Sequence, residues 1–302
     1  MHEQAAKQLS EDTTLQALLG DIRRRHGETL AAVLVYGSWL RGARDTVLDF
    51  YALVDTYQSL DTRWQGLMCR LLPPNVYQIH QQIGDREVRA KYALLTLKRF
   101  HRAVLHDFHS YFWARFAQPC AIVYTRDASV EAGLLEAFSL AAANFVRHVV
   151  PTLPGHFSSE ALWVQGLGLT YHCELRTESG QRPATIYASN SAYYDRVTRT
   201  LAAQGMTRMA ATEEGEYRNL SSVSARAFAR AAWRLRSLQG KVLSLLRLLK
   251  AAYTFNDGLD YLLWKIKRHS GVYIEPTARQ RKHPLIFAWP LLWRLYRQGA
   301  FR

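Results

Sequence analysis

Two short segments near the amino terminus carry the residue types of a site for a metal-bound nucleotide. Residues 33–39 read Val-Leu-Val-Tyr-Gly-Ser-Trp, and residues 47–55 read Val-Leu-Asp-Phe-Tyr-Ala-Leu-Val-Asp. Gly37 lets the backbone approach a triphosphate, and the Ser38 hydroxyl with the following amides can hold phosphate oxygens at the start of a helix. Asp49 interrupts an apolar strand, where a carboxylate needs a metal or a hydrogen-bonding partner. The pattern predicts nucleotidyl transfer assisted by Mg²⁺.

The second carboxylate that is usual in such a site is missing from its expected position. Acids at alternate strand positions share one face of the strand and can bind the same ions. Tyr51 occupies that position here. The next acid in register is Asp55, which an extended strand would carry about 20 Å from Asp49. Asp55 can therefore complete the metal site only if the strand ends or bends between the two acids.

Further segments repeat the motifs of one known family in the same order. The segments are Tyr-Gly-Ser at 36–38, Leu-Asp-Phe-Tyr-Ala-Leu-Val-Asp at 48–55, Ala-Lys-Tyr-Ala-Leu at 90–94, Tyr-Phe-Trp-Ala-Arg-Phe-Ala-Gln-Pro at 111–119, and the pair 153–162 and 168–176. Together they resemble the mitochondrial-type phosphatidate cytidylyltransferases, the translocator assembly and maintenance family, and we expect a bacterial member. That family also has Asp-Phe-x-Phe-x-Val-Asp in place of alternating acids. Ala93 replaces a family glycine and Gln118 a family lysine.

The resemblance implies an activity and a set of site residues. The activity is CTP:phosphatidate cytidylyl transfer, which makes CDP-diacylglycerol and pyrophosphate for phospholipid synthesis. The implied cofactor is Mg²⁺, and the preference for cytidine rests on the resemblance alone. The expected catalytic residues are Asp49, Asp55 and Lys91, of which the two acids would bind the metal. The expected nucleotide- and phosphate-binding residues are Gly37, Ser38, Lys91, Arg115, Glu174 and Arg176.

Several of these residues have structural explanations that the sequence leaves open. Lys91 can attract phosphate as a point charge, but a strand lysine is more often simply solvated. Arg115 lies in the last turn of an expected helix, where a cation complements the helix dipole. Glu174 and Arg176 alternate in the chain and can pair with each other.

The basic charge of the chain is concentrated at its carboxyl-terminal end. The whole chain has 39 Lys and Arg against 25 acids, a net charge of +14. Residues 230–302 contain 15 Lys or Arg and 3 acids, a surplus of +12, which leaves +2 for residues 1–229. They also contain four of the eight tryptophans. Indole rings with basic side chains favour a membrane interface with anionic lipid over nucleic acid.

The same region contains an expected amphipathic helix. In residues 241–253, one helical face carries Val242, Leu245, Leu246, Leu249 and Tyr253, and outside that stripe lie Lys241, Ser244, Arg247 and Lys250. The apolar run at 284–296 is shorter than the roughly 20 residues of a membrane span. We therefore expect residues 230–302 to lie on an anionic membrane surface. The alternative is an ordinary helix that packs on the core with a solvated basic face.

Strands that alternate with helices predict an α/β fold. We expect a nucleotidyltransferase-like mixed sheet with helices over residues 1–150, followed at the Pro- and Gly-rich joint 151–155 by a smaller, mainly helical, winged-helix-like domain over 151–229. Its β ribbon would use extended pieces at 171–176 and 184–188, and 207–222 would be a polar loop. The basic amphipathic tail at 230–302 would complete the chain.

Two other functions compete with cytidylyl transfer to phosphatidate. One is a nucleotidyltransferase acting on RNA or a small polar acceptor, which fits the basic charge but predicts basic residues around the pocket. The other is a catalytically inactive membrane adaptor with a nucleotidyltransferase fold, which Tyr51 makes plausible. We expect a peripheral protein on the cytoplasmic face of the inner membrane, with CTP, phosphatidic acid and anionic lipid as partners and no nucleic acid. The sequence leaves the oligomeric state open.

Overall fold

The computed structural model describes residues 12–41, 47–58, 63–83, 86–174 and 181–254, with isolated positions beyond them. The chain forms a mixed α/β fold around a five-stranded sheet in the order β3-β4-β2-β1-β5. The strands are β1 Leu30–Tyr36, β2 Leu48–Val54, β3 Asn75–Ile83, β4 Arg86–Thr96 and β5 Cys120–Thr125. Strands β2 and β4 are parallel, and the other neighbours are antiparallel. The α/β class expected from the sequence is confirmed.

Helices cover both faces of this sheet, which explains why β1 is apolar throughout and β2 is apolar apart from Asp49. One face packs on α1, Thr13–His26, whose buried residues Leu15, Leu18, Leu19 and Ile22 recur at helical spacing. The other face packs on α3, Leu97–His106, α4, Trp113–Phe116, and α5, Ala128–Val149. Helix α2, Arg63–Leu71, precedes β3. The alternation along β2 therefore directs Asp49 and Tyr51 toward the face of α3 to α5.

A second, smaller layer follows residue 150. It contains α6, Ser159–His172, α7, Arg182–Ala188, α8, Ser191–Ala203, and a small sheet of β6, His156–Phe157, β7, Met209–Ala211, and β8, Tyr217–Asn219. One hydrophobic cluster joins this layer to the main sheet, and Trp163 stacks on Phe145 with ring centroids 4.7 Å apart. Packing is thus continuous across the expected boundary at residue 150.

Two sequence expectations for this layer are wrong. Residues 184–188 are not extended but belong to α7, where Pro183 in the first turn has the backbone angle that a helix needs and is buried with Ile186. Residues 207–222 are not only a loop, because β7 and β8 pair there around Gly215, which has a φ of +78°. The ribbon of the small sheet therefore lies later in the chain than expected.

Helix α9, Val223–Thr254, runs through the expected boundary between 229 and 230 without a break. Its Trp233 is buried, and the ring centroid lies 6.0 Å from that of Trp113. At Gly240, an added Cβ atom would lie 2.0 Å from the carbonyl oxygen of Cys173. The first part of the basic tail is therefore packed directly on the fold.

Helix α5 is the part of the described chain that is long and apolar enough to cross a membrane. The segment Ala128–Thr152 has the length and mean hydropathy of a membrane span, and 44% of its most apolar stretch is buried inside the fold. Core helices of soluble proteins can have the same length and hydropathy. Since Leu134, Phe145 and Val149 pack in the main hydrophobic cluster, we describe α5 as a core helix.

Burial of His26 makes the stability of the fold depend on pH. Burial, helped by the charge of Arg25, lowers the pKa of His26 from 6.5 to about 4. As the pH falls from 6.5 toward 4, the unfolded chain binds a proton that the folded chain rejects, so the free energy of unfolding should decrease. Chemical denaturation of His26→Gln should show a shallower decrease over this range. The same change at the exposed His172 is the control, and an unaltered slope for His26→Gln would contradict the prediction.

Candidate functional site

The turn after β1 brings Gly37 against the carboxylate of Asp49. Tyr36, the last residue of β1, is the register partner of Asp49 on β2. Gly37 has a φ of +93°, which side-chain-bearing residues rarely adopt, and a Cβ atom there would lie 3.4 Å from Asp49 Oδ2. Ser38 begins a four-residue 3-10 turn, Ser38–Arg41. The glycine thus places no side chain against the carboxylate.

Lys91 lies directly beside Asp49 because the two residues are register partners in the parallel pair β2 and β4. Lys91 Nζ is 3.1 Å from Asp49 Oδ1. Within the described structure this oxygen is nevertheless buried and accepts no well-directed hydrogen bond. The lysine therefore supplies charge more than it satisfies a lone pair. Since its side chain is 48% exposed, the pair is weak enough to open for a ligand.

The structure separates Asp55 from Asp49. Strand β2 pairs with β4 without interruption from Leu48 to Val54, so it neither ends nor bends between the acids. Asp55 follows the far end of β2, about 20 Å away for an extended strand, and pairs with Arg126. The condition under which Asp49 and Asp55 could share a metal ion is therefore not met in this structure.

Arg115 occupies the region where a second carboxylate would otherwise point. Its Nη1 donates a 2.7 Å hydrogen bond to the hydroxyl of Tyr51, the residue two positions after Asp49. Burial raises the pKa of Tyr51 well above its usual value, so the phenol stays neutral. Arg115 also lies 5.3 Å from the ring centroid of Tyr36, the neighbour of Asp49. The position beside Asp49 thus carries a cation in place of an anion.

Arg115 is held by aromatic rings and by Glu174. It lies 4.2 Å from the ring centroid of Tyr111 and 3.9 Å from Glu174 Oε1. Burial alone would lower the pKa of Arg115, but Tyr111, Tyr51, Tyr36 and Glu174 outweigh it and raise the pKa. Arg115 therefore keeps its charge in a site where its side chain is only 13% exposed.

Helix α9 contributes residues to this site that the sequence reasoning placed elsewhere. Arg247 lies 4.1 Å from the ring centroid of Tyr111, and its Nε donates to the Pro73 carbonyl. Lys250 donates to the carbonyls of Leu72 and Pro74. Burial raises the pKa of Tyr111, but the charges of Arg115 and Arg247 reverse this and lower it. The residue of the sequence that could have indicated this contact is Gly240, because a glycine within a helix can mark the close approach of another segment to its polar side.

The described part of the expected extended piece 171–176 is not a strand, because Tyr171 and His172 belong to α6. Glu174 follows the end of α6, and its amide bonds to the Tyr171 carbonyl. Its carboxylate reaches Arg115, as described above. Arg176 lies outside the described residues. The structure thus brings together Gly37, Asp49 and Lys91, and beside them Arg115 with Glu174.

The side chains available as ligands decide how the expected Mg²⁺ ion could bind. Among the residues that the structure describes, no group of three or more His, Cys, Asp or Glu side chains is arranged to hold a metal. Asp49 Oδ1 is a buried, unsatisfied carboxylate oxygen. Mg²⁺ commonly binds through one or two carboxylates, with substrate phosphates and water as its other ligands. Asp49 fits such an ion only when the nucleotide supplies further oxygens.

No protein-family model and no curated protein matches this chain. The resemblance to the phosphatidate cytidylyltransferases therefore rests on the ordered motifs. The geometry of the Asp49 end of the sheet stands independently of it.

Proposed function

We propose that the chain is a CTP:phosphatidate cytidylyltransferase, with a nucleotidyltransferase-like sheet and a winged-helix-like second layer. The observation that carries the proposal is the Gly37 turn, which places no side chain against Asp49, together with the Oδ1 of that carboxylate, which is buried and accepts no hydrogen bond in the described structure. The half-exposed Lys91 offsets part of the charge of Asp49. The carboxylate can therefore take a further cation, and the adjacent glycine turn suits a phosphate chain. The choice of cytidine and phosphatidate comes from the motif order.

The proposed reaction is a single in-line displacement. A phosphate oxygen of phosphatidate bonds to the α-phosphorus of CTP as the bond from that phosphorus to the bridging oxygen of the β-phosphate breaks. Pyrophosphate leaves with the bonding electron pair. Lys91 and Arg115 offset the repulsion between the two anionic substrates, and Gly37 leaves room for the triphosphate. Asp49 would hold Mg²⁺, which when bound neutralises charge on the triphosphate.

The outward face of α9 supports a membrane acceptor. Phe228, Leu235, Leu238, Val242 and Leu246 follow one another at intervals of seven, three, four and four residues, so they share one helix face. We call these five residues the apolar row. They are 74%, 56%, 63%, 50% and 39% exposed. Arg230, Arg234 and Lys241 are exposed beside them.

Helix α9 is thus amphipathic with its apolar row facing outward, the arrangement expected of a helix that lies on a membrane. The side that contacts the protein carries Arg236, Arg247 and Lys250. Apolar side chains flanked by cations suit the interface of an anionic bilayer. This arrangement supports a peripheral location on the cytoplasmic face of the inner membrane, as proposed for residues 230–302.

Polar substitutions in the apolar row should weaken membrane binding. We expect Leu238→Gln with Val242→Gln to reduce co-sedimentation with anionic vesicles at least about tenfold. The reason is that two apolar side chains, which membrane binding transfers out of water, are replaced by polar ones. Leu135→Gln with Met206→Gln is the matched control, since each of these residues is 54% exposed outside α9. Equal losses in both variants would show that the apolar row has no special role.

The structure also offers one observation in favour of an inactive adaptor. Tyr51 and Arg115 fill the region of the usual second acid, and Lys91 already neutralises part of the charge of Asp49. Such a protein would bind membranes and nucleotide without turnover. Activity separates this alternative from the proposed enzyme.

One assay separates the candidate functions. Full-length protein is incubated with Mg²⁺, CTP labelled at the α-phosphate, and either phosphatidate vesicles, RNA or soluble polar acceptors. We expect label in CDP-diacylglycerol only. Label in RNA or a soluble acceptor would select the first rival, and no transfer with any nucleoside triphosphate would select the adaptor.

A further inference from the structure

A basic pocket lies at the start of α9, on residues that the proposed transfer reaction does not use. It has a volume of about 490 Å³. Its lining includes Arg147, His148, Arg208, Ser222, Phe228 and Arg236. No Asp or Glu is among its described lining residues. The pocket therefore concentrates positive charge with no internal counter-charge.

Arg236 lines this pocket and is its buried cation. Its residue is only 3% exposed, and no ion pair to a carboxylate is found for it among the described residues. Its Nε donates a 2.8 Å hydrogen bond to the Phe108 carbonyl, and its guanidinium lies 4.5 Å and 5.1 Å from the ring centroids of Phe108 and Trp233. These contacts only partly offset the cost of burying a charge. An anion in the pocket would supply the missing counter-charge.

The other lining groups match a phosphate group. Arg147 and Arg208 are exposed at the rim, and guanidinium groups bind phosphate oxygens through paired hydrogen bonds. Arg236 Nη2 lies 3.2 Å from His148 Nδ1. Burial, with the charges of Arg236 and Arg147, lowers the pKa of His148 to about 3, so the ring is neutral at pH 7. The Ser222 hydroxyl adds a neutral polar group.

The position of Phe228 favours a lipid headgroup over a free phosphate as the ligand of this pocket. It lines the pocket and is also the first residue of the apolar row on α9, where it is 74% exposed. A phosphate bound between the arginines would thus have a continuous apolar surface beside it. Such a surface can contact the acyl chains of a lipid but does not contribute to binding a small soluble anion.

We propose that this pocket binds the phosphate headgroup of an anionic phospholipid while the apolar row contacts the adjoining bilayer. Arg236 and Arg247 are 11 residues apart on α9, about 16 Å along its axis, so the pocket is separate from the Asp49 end of the sheet. Headgroup binding in this pocket does not depend on cytidylyl transfer. Such binding would orient the protein on anionic membranes.

The test compares vesicles of phosphatidylcholine with vesicles that also contain phosphatidylglycerol, without nucleotide. Phosphatidylglycerol is not an acceptor in the proposed reaction, so this result and the transfer assay can fail independently. We expect Arg147→Gln with Arg208→Gln to weaken binding to the anionic vesicles about 30-fold, on about 1 kcal/mol for each cation near an anionic surface. The preference over phosphatidylcholine should fall accordingly. The control Lys98→Gln with Arg102→Gln removes two exposed cations from α3 and should leave that preference unchanged.

A second variant covers the case in which the double substitution fails to fold. Ser224→Glu puts a carboxylate into the pocket lining, at the start of α9, where a negative charge favours the helix. It should also abolish the preference for anionic vesicles. An unchanged preference in either folded variant would overturn the proposal. So would calorimetry in which inorganic phosphate or glycerol phosphate occupies the pocket while anionic vesicles do not bind.

Discussion

Asp49→Asn should reduce formation of CDP-diacylglycerol by at least about a hundredfold, since the site would lose the charge that holds Mg²⁺ and the triphosphate. The substitution hardly changes side-chain volume. It also removes the ion pair with Lys91, but that lysine is half-exposed and the pair contributes little to stability. The fold should therefore be retained, and the loss should appear in the rate.

Asp55→Asn is the matched control, because Asp55 follows the other end of the same strand. It pairs with Arg126 and does not reach the Gly37 turn. Its activity should stay close to that of the unsubstituted protein. If Asp55→Asn were as inactive as Asp49→Asn, the two acids would act together and the separation described above would be misleading. If Asp49→Asn retained full activity, the metal site would lie elsewhere.

Gly240→Ala should lower the free energy of unfolding by about 2 kcal/mol, although alanine normally stabilises a helix relative to glycine. The new methyl group would meet the Cys173 carbonyl oxygen at 2.0 Å and His109 Nε2 at 2.9 Å. Helix α9 would have to move away from α6, and Arg247 would move with it. Transfer activity should therefore fall together with stability.

Gly168→Ala provides the opposite result for comparison. Gly168 also lies inside a helix, α6, but nothing approaches the position of its missing Cβ within 4 Å. The same substitution there should raise the free energy of unfolding by roughly 1 kcal/mol. Urea denaturation of both variants gives the comparison. A stabilising effect at Gly240 would show that α9 does not pack as closely as described.

The main sheet and its Asp49 end were accessible from the sequence because they depend on local patterns. Apolar runs at 31–36 and 47–54 predict β1 and β2. Their antiparallel register, in which Tyr36 is the partner of Asp49, is what puts Gly37 next to that carboxylate. The approach of Arg115 to Tyr51 joins positions 64 residues apart. Strand alternation says only that Tyr51 shares a face with Asp49, and it says nothing of which cation packs there.

The orientation of α9 could not be obtained from its periodicity. The apolar and basic faces were both visible in the sequence, but a helix wheel does not say which face contacts the fold. The side that contacts the fold carries Trp233 together with Arg236, Arg247 and Lys250, and these three cations donate to backbone carbonyls around Phe108 and Pro73. Long-range contacts of this kind have no local signature.

The central claim is most directly tested by counting both products of one reaction. CTP labelled separately at its α- and γ-phosphates is incubated with Mg²⁺, phosphatidate vesicles and the full-length protein. We predict equal molar amounts of α-label in CDP-diacylglycerol and γ-label in pyrophosphate, and neither with Asp49→Asn. An α-label that stays in soluble nucleotide while phosphatidate and Mg²⁺ are present would contradict the proposed function.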